Sequence, residues 1–159
     1  MPNPGEKTGG FLSPVIRPMS GADVAPALII LKESPEASMW SRESLLESIT
    51  QGNAWIAELD GVPAGFLIGR VAADEFEILN LAVGKASRRR GVATKLVRAA
   101  IEFAQTAGAR QSYLEVRASN EGGTAFYTRI GFLVSGRRPN YYRPACIWGS
   151  ARSRPARMR

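Results

Sequence analysis

The residues best suited to chemistry lie in a short basic turn at residues 88–94, Arg-Arg-Arg-Gly-Val-Ala-Thr. A predicted strand enters this turn and a predicted helix leaves it, so backbone N–H groups at the helix start are available to an anion. Gly91 and Ala93 carry almost no side chain, which lets a phosphate approach the backbone, and Thr94 adds a hydroxyl. The turn therefore predicts a phosphate-binding loop. A solvated arginine cluster before an ordinary helix is the alternative.

Two familiar phosphate-binding motifs do not match this turn. A Walker A loop requires G-x-x-x-x-G-K-[ST], and a dinucleotide-binding fingerprint requires G-x-G-x-x-G near the start of a strand–helix–strand unit. The chain contains neither pattern at this place. Nucleotide hydrolysis and nicotinamide chemistry are therefore not supported by the loop.

The elements before the turn form a mixed set of helices and strands. Turn residues, caps and apolar runs predict a short edge strand, two helices, a hairpin and a third strand. The strands are Pro14–Pro18, Ala54–Leu59, Pro63–Val71 and Glu75–Val83; the helices run from Ala22 to about Glu33 after Ser20, and from Ser41 to Gly52. The hairpin turn is Asp60-Gly61, a dipeptide typical of two-residue loops.

The second half alternates between helix and strand. Apolar residues at steps of three and four predict one buried helical stripe between Gly91 and Gly108, formed by Val92, Leu96, Ala100, Phe103 and Ala104. A strand at Ser112–Val116, a helix from Asn120 to about Ile130 and a strand at Phe132–Ser135 follow. Together the two halves predict a mixed α/β sheet with helices on both faces.

Composition removes several classes of function. The chain has 159 residues, which suits one domain, and it has one cysteine and no histidine. Histidine-based triads, histidine-ligated zinc and cysteine-rich metal sites are therefore excluded, and we expect no metal and no acyl-cysteine intermediate at Cys146. No apolar run is long enough to span a membrane and the N-terminus lacks a signal-peptide pattern, so we expect a cytoplasmic protein.

The net charge of +7 comes entirely from the C-terminal end. Residues 1–136 hold 14 basic and 14 acidic residues, whereas residues 137–159 hold seven arginines and no acid. A basic tail of this kind binds RNA or the ribosome through sequence-independent phosphate contacts, or is simply a solvated terminus. The solvated terminus is the simpler interpretation.

Four motifs in order resemble the GNAT acetyltransferase superfamily, and in particular its bacterial ribosomal-protein-alanine N-acetyltransferase branch. The turn matches the superfamily's acyl-coenzyme A motif, [Q/R]-x-x-G-x-[G/A]. The other three motifs are Leu114-Glu-Val-Arg-Ala-Ser-Asn120, Ala125-Phe-Tyr-Thr-Arg-Ile-Gly-Phe132 and Gly136-Arg-Arg-Pro-Asn-Tyr-Tyr142. The resemblance implies a mostly antiparallel central sheet with a splayed parallel strand pair. It also implies acetyl transfer from acetyl-coenzyme A to an amine by direct attack.

The resemblance also implies where the cofactor binds. The pantetheine arm would lie along the backbone of a bulged strand, with one N–H group directed at the thioester carbonyl, and Asn120 would contact the same arm. The diphosphate would bind N–H groups at the start of the following helix. The implied cofactor residues are Leu81, Ala82, Val83, Arg89, Arg90, Gly91, Val92, Ala93, Thr94 and Asn120, with Arg88 a weaker candidate.

Two residues acquire catalytic roles from the same resemblance. Glu115 would be the general base, acting directly or through water, and Tyr127 would assist the departing thiolate. From pattern alone, Glu115 forms an ion pair with Arg117 or another basic residue, and Tyr127 is an aromatic packing residue. A free α-amine has a pKa of about 7.7–8.0 against about 10.4 for lysine, so a carboxylate base suits an N-terminal amine more easily.

The resemblance divides the chain into three parts. These are a loose N-terminal segment (1–12), an acetyltransferase domain (13–142) and a divergent basic tail (143–159). The acceptor would be a protein or peptide N-terminus that enters beside Asn140-Tyr-Tyr142. After Tyr142 the chain has no acid and weak strand alternation, so the sequence leaves open whether a last strand forms there. A small-molecule amine acceptor and a non-catalytic coenzyme A or RNA-binding module are the competing hypotheses.

Overall fold

The computed structural model describes residues 13–37, 39–138, 141–148 and 155–156. The strands are β1 (Val15–Pro18), β2 (Ala54–Leu59), β3 (Val62–Ala72), β4 (Glu75–Val83), β5 (Gln111–Leu114), β6 (Val116–Arg117), β7 (Leu133–Arg138), β8 (Tyr141–Trp148) and β9 (Pro155–Ala156). The helices are α1 (Val24–Lys32), α2 (Arg42–Thr50), α3 (Val92–Thr106) and α4 (Glu121–Arg129).

One mixed sheet joins all the described strands. Strands β1 to β5 lie in sequence order, β8 follows β5, and β6, β7 and β9 also pair with β8. Among the described strands only β4 and β5 run parallel. This arrangement confirms the predicted fold class, a mostly antiparallel sheet with a single parallel pair.

Helices cover both faces of the sheet and make two cores. Helices α3 and α4 pack on one face, where Leu96, Ala100 and Phe76 are fully buried. Helices α1 and α2 pack on the other face, over a core that includes Phe66. Phe103 departs from the predicted stripe of α3, because it lies at the stripe's edge and remains 47% exposed while its ring contacts Trp55.

The first helix begins later than its sequence suggests. A 3-10 turn spans Gly21–Asp23, and the α-helix starts at Val24. Pro26 has no N–H group, so it cannot donate the α-helical hydrogen bond that would continue the helix back to Ala22. Proline is instead accommodated in the first turn of a helix.

Caps and turns elsewhere follow the sequence closely. The Ser41 hydroxyl accepts a hydrogen bond from the Ser44 N–H group and caps α2, as predicted. In the hairpin turn, Asp60 and Gly61 have φ angles of 52° and 74°. Two positive φ values are typical of the turn that matches the twist of antiparallel strands.

The C-terminal strand β8 forms although its sequence shows weak alternation. It pairs on one side with β5 and β6 and on the other with β7 and β9. Pairing on both sides satisfies the backbone groups of residues 141–148 regardless of their side-chain pattern. The sheet therefore extends past Tyr142, and nothing is described of residues 149–154 and 157–159.

A charged network joins β1, β2 and the turn before α1. The Arg17 guanidinium donates two hydrogen bonds of 2.8 Å to the Asp23 carboxylate and further ones to Glu58. Asp23 is buried and also accepts from the Ser20 N–H group. The hydrogen bonds from Arg17 hold the pKa of Asp23 below its ordinary value. The network fixes the edge strand to the start of α1.

We predict that Asp23→Asn lowers the free energy of unfolding by about 2–3 kcal/mol at pH 7. Because the folded pKa of Asp23 is depressed, its contribution is complete above the ordinary value of 3.8 and is lost as the pH falls through the folded value. The difference between the two proteins should therefore shrink in acid. Urea unfolding at several pH values measures it, with exposed Asp74→Asn as the control; an equal loss for both variants would contradict the prediction.

Candidate active site

A gap opens in the sheet between the two parallel strands. Strands β4 and β5 pair only from Glu75 to Ile78, opposite Gln111 to Leu114. Beyond that point β4 continues to Val83, whereas β5 ends. A cleft of about 1030 Å³ lies there, lined from both strands and from the starts of α3 and α4. This is the splayed pair that the sequence resemblance implies.

A bulge in β4 accompanies the splay. Ile68 pairs with Asn80 and Gly69 pairs with Ile78, so Leu79 is an extra residue with no counterpart on β3. The extra residue reverses the alternation: Ile78 lies in the α3 core, whereas Ala82 lies in the α1–α2 core. A side chain at Gly69 would overlap the buried ring of Phe76, which explains the glycine opposite the bulge.

Backbone groups of two residues after the bulge point into the gap. The Gly84 N–H group donates a 2.8 Å hydrogen bond to the Ala64 carbonyl of β3. Because hydrogen-bonding direction alternates along a strand, Ala82 is also directed at β3, while Leu81 and Val83 face the gap. These two residues present main-chain groups to any extended chain that lies in the cleft.

The predicted phosphate-binding loop, residues 88–94, lines one end of the cleft. Its backbone has positive φ angles at Arg89 (60°) and at Gly91 (77°), the residue that precedes α3. The first intrahelical bond runs from the Lys95 N–H group to the Gly91 carbonyl, at 3.1 Å. The N–H groups of the three preceding helical residues, 92–94, are therefore left for an external acceptor at the positive end of the helix.

The predicted site residues come together in this cleft with one exception. Its lining includes Leu81, Ala82, Val83, Arg88, Arg89, Gly91, Val92, Ala93, Thr94, Glu115, Asn120 and Tyr127. Arg90 is exposed outside that lining. The structure therefore brings the turn at residues 88–94 and the motifs that begin at Leu114 and Ala125 to one place.

Glu115 stands at an interruption between β5 and β6. Leu114 and Val116 are buried in the α3 core, whereas Glu115 is directed to the opposite face and is exposed to the cleft. Glu115 is exposed because the splay opens this part of the sheet. Strand β8 pairs with both β5 and β6. Pro144 of β8 lies between the residues that pair with β5 and those that pair with β6, and it has no N–H group to donate.

Tyr127 is buried in the wall of the cleft. Its ring makes edge contacts with Phe126 (5.0 Å between centroids) and Phe132 (5.5 Å), and it is 8% exposed. Burial raises the pKa of the Tyr127 phenol well above its ordinary value. The hydroxyl is therefore protonated at neutral pH and is able to donate a hydrogen bond, and packing and donation are compatible.

Asn120 caps α4 and also lines the cleft. Its side-chain oxygen accepts a 2.8 Å hydrogen bond from the Gly123 N–H group. A Cβ atom at Gly123 would lie 2.5 Å from the Asn120 amide nitrogen, so glycine makes room for this conformation. The capping role leaves the amide –NH₂ group as a hydrogen-bond donor near the cleft.

Sequence reasoning missed several residues of the lining. The connection between α1 and α2 contributes Ser34, Glu36 and Ala37, which carry no sequence signal because only packing brings them there. Asn80 is buried and lines the cleft, and its signal was available as an amide within an apolar strand. Of the predicted acceptor segment, Asn140 lies outside the described residues, and Tyr141 and Tyr142 are described only as strand backbone.

The described part of the chain contains neither a membrane-spanning helix nor a cluster of metal ligands. None of its helices has the length and apolar character needed to cross a bilayer. Within the same residues, no group of three or more carboxylate or cysteine side chains is placed to bind a metal ion.

The sequence of this chain is similar to those of known acetyltransferases. The sequence model of the Acetyltransferase (GNAT) family matches residues 26–132. A [ribosomal protein bS18]-alanine N-acetyltransferase of Salmonella typhimurium is 32% identical over 120 residues, which cover 74% of this chain and 80% of the relative.

Solved structures give the same result for the fold. The ribosomal-protein-S18-alanine N-acetyltransferase of Escherichia coli superposes with a TM-score of 0.73 at 25% identity, covering 87% of this chain and 96% of that one. The PaiA N-acetyltransferase of Thermoplasma acidophilum, solved in complex with coenzyme A, has a TM-score of 0.78 at 22% identity, covering 84% of this chain and 98% of that one.

Proposed function

The chain belongs to the acetyltransferase (GNAT) family and is an N-acetyltransferase, and we propose that its acceptor is the α-amino group at the N-terminus of a protein. One observation carries the proposal. The start of α3, the strand backbone at Leu81 and Val83, and the side chains of Glu115 and Tyr127 all line one cleft. A thioester with a diphosphate at its far end fits that cleft.

In this proposal the loop and β4 hold acetyl-coenzyme A. The N–H groups at residues 89–94 bind the diphosphate, where the helix dipole favours negative charge. Leu81 and Val83 hold the pantetheine arm as an added strand would be held, and one of their N–H groups donates to the thioester carbonyl as negative charge develops there. The amide of Asn120 contacts the same arm.

Two side chains act as proton acceptor and hydrogen-bond donor in the reaction. Glu115 accepts a proton from the attacking amine, directly or through a water molecule. The new N–C bond forms as the C–S bond breaks, and the products are the acetylated amine and coenzyme A. Tyr127 donates a hydrogen bond to the departing sulfur; full proton transfer from the phenol comes late, because an ordinary phenol is a weaker acid than a thiol.

Acceptor chemistry favours an N-terminal amine. Obtaining the neutral form of lysine near pH 7 costs roughly 3–4 kcal/mol more than obtaining that of an α-amine. A lone carboxylate base therefore suits an α-amine. The relatives named for alanine N-acetylation support the same acceptor class.

A peptide panel tests the proposal. The purified protein is incubated with labelled acetyl-coenzyme A and peptides that begin with alanine or serine, and intact mass spectrometry reports one added acetyl group. The matched control is a peptide with a blocked N-terminus and an internal lysine, and it is otherwise the same. Acetylation of the free N-terminus alone supports the proposal. Turnover only of lysine or small amines rejects it, and binding without transfer to any amine indicates a non-catalytic module.

We predict that Tyr127→Phe lowers kcat by about 10- to 100-fold while leaving the fold intact. Phenylalanine keeps the ring contacts with Phe126 and Phe132 and removes only the hydroxyl. Steady-state kinetics and thermal unfolding measure the two effects. Tyr113→Phe, which removes a hydroxyl outside the cleft lining, should leave kcat unchanged. Equal kcat values for wild type and Tyr127→Phe would leave Tyr127 a packing residue.

A further inference from the structure

The Arg88 side chain makes contacts that its place in the loop does not suggest. Its guanidinium donates a 2.6 Å hydrogen bond to the backbone carbonyl of Glu33 and a 3.4 Å one to that of Val83. Both acceptors are neutral carbonyl groups. Arg88 therefore connects the phosphate-binding loop to two other elements, the end of α1 and the end of β4.

Glu33 accepts hydrogen bonds from the loop through both its backbone carbonyl and its side chain. It is the residue that caps the C-terminus of α1, where carbonyl groups lack helical partners and a cation is favourable. Its carboxylate also accepts a 2.9 Å hydrogen bond from the Lys85 N–H group. Beside it, the Ser34 hydroxyl donates to the Val83 carbonyl at 3.4 Å. We call these five residues the clasp: Glu33, Ser34, Val83, Lys85 and Arg88.

The clasp joins two walls of the cleft. On one side, the connection after α1 contributes Ser34 and residues 36–37 to the lining. On the other side, the loop contributes residues 87–89. Glu115 is directed away from the α3 core, toward the face that α1 and α2 cover. An amine that approaches Glu115 from that face therefore meets the connection after α1.

We propose that Arg88 is a positioning residue that couples the phosphate-binding loop to the connection after α1, so that coenzyme A bound at the loop also orders the wall on the acceptor's side. The inference rests on the proposed function. A loop that is held by the diphosphate keeps Lys85 and Arg88 in place, and these hold Glu33 and Ser34. Because such coupling is reciprocal, acceptor binding should tighten coenzyme A binding by the same factor.

Charge and hydrogen bonding separate this role from a phosphate contact. A cation in direct contact with phosphate contributes more to the salt dependence of coenzyme A binding than a nearby cation whose hydrogen bonds go to neutral carbonyls. Calorimetry at several salt concentrations should show that Arg88→Ala weakens coenzyme A binding and flattens the salt slope less than Arg89→Gln does. Arg88→Ala should also raise the acceptor KM by about 5- to 10-fold. Arg89→Gln, which removes a cleft-lining charge from outside the clasp, should flatten the slope.

Glu33 provides an independent pair of variants. Glu33→Ala loses the acceptor for the Lys85 N–H group and should reproduce the KM increase of Arg88→Ala. Glu33→Gln keeps a side-chain oxygen as acceptor and should restore most of the wild-type KM. The double variant Glu33→Ala with Arg88→Ala should raise the acceptor KM by no more than about the larger of the two single effects. Both substitutions disrupt the same set of contacts, so their effects should not add.

Hydrogen exchange measures the coupling without turnover. In the wild-type protein, coenzyme A should slow amide exchange at residues 33–37, and in Arg88→Ala it should slow exchange at the loop only. A salt slope that Arg88→Ala flattens as much as Arg89→Gln does, together with a normal acceptor KM, would make Arg88 a phosphate ligand and overturn the inference. So would wild-type exchange at residues 33–37 that coenzyme A leaves unchanged in an active enzyme. Failure of the wild-type protein to bind coenzyme A would instead overturn the proposed function.

Discussion

Replacing Gly91 with glutamate is expected to weaken coenzyme A binding by more than about 100-fold. Gly91 immediately precedes α3 and lines the cleft. A carboxylate there would lie beside the N–H groups that we propose for the diphosphate, and two like charges about 4 Å apart repel by about 4 kcal/mol near a protein surface. Calorimetry with coenzyme A measures the loss.

Backbone strain from this substitution should be small and is separable from the charge effect. The φ angle of Gly91 is 77°, which costs a residue with a side chain about 1–2 kcal/mol. No atom lies within 4 Å of a Cβ built at Gly91, so the fold has room for a side chain. Gly91→Ala carries the strain without the charge and should bind coenzyme A far better than Gly91→Glu.

Gly108→Glu is the matched control for the same experiment. Gly108 also has a positive φ angle, 98°, and open space around its Cβ position, but it follows the other end of α3, about 25 Å away. The Gly108→Glu variant should bind coenzyme A with the affinity of the wild-type protein. Undiminished binding by Gly91→Glu would mean that the diphosphate does not bind at this loop.

The second large effect is expected for Glu115→Gln, which should lower kcat by about 100-fold or more. Glutamine has nearly the same shape as glutamate but cannot accept the amine proton. Because the phosphate-binding loop is a separate part of the cleft, affinity for coenzyme A should stay near the wild-type value. Steady-state kinetics across pH should also show that the pH–rate profiles of the variant and the wild-type protein differ.

Glu121→Gln tests whether loss of any nearby carboxylate has the same effect. Glu121 lies in the first turn of α4 and outside the cleft lining, so its variant should retain wild-type kcat and pH profile. An identical pH–rate profile for Glu115→Gln and the wild-type protein would remove Glu115 from the mechanism. Restored activity at high pH for Glu115→Gln would support its role as base, because the free amine is then already deprotonated.

Local patterns were sufficient for most of the helices and strands. Strand β4 was predicted with the bounds it has, and α3 begins directly after Gly91, as its cap and apolar stripe indicate. Both signals depend on neighbours within a few residues. The split between β5 and β6 was missed because it is defined by the pairing with β8, about thirty residues away in the chain.

In the candidate site, too, features set by neighbouring residues were predictable and features set by residues far apart in the chain were not. Motif residues such as Glu115 and Tyr127 are identifiable from the sequence, and both line the cleft in the structure. The contacts of Arg88 were not foreseeable, since its charge suggests an anion while its partner Glu33 lies 55 residues earlier. The bulge at Leu79 was implied only by resemblance, because β-strand alternation across it is visible only against β3.

The sequence by itself determined the order of the elements and the small-residue turn before α3, because caps, turns and apolar periodicity are local properties of the chain, and its ordered motifs indicated the family by resemblance. Tertiary structure alone decided where β4 and β5 separate, which backbone groups face the gap and which partners Arg88 holds. Those features depend on pairing and packing between residues far apart in sequence, and no local pattern records which distant carbonyl or strand will be the neighbour.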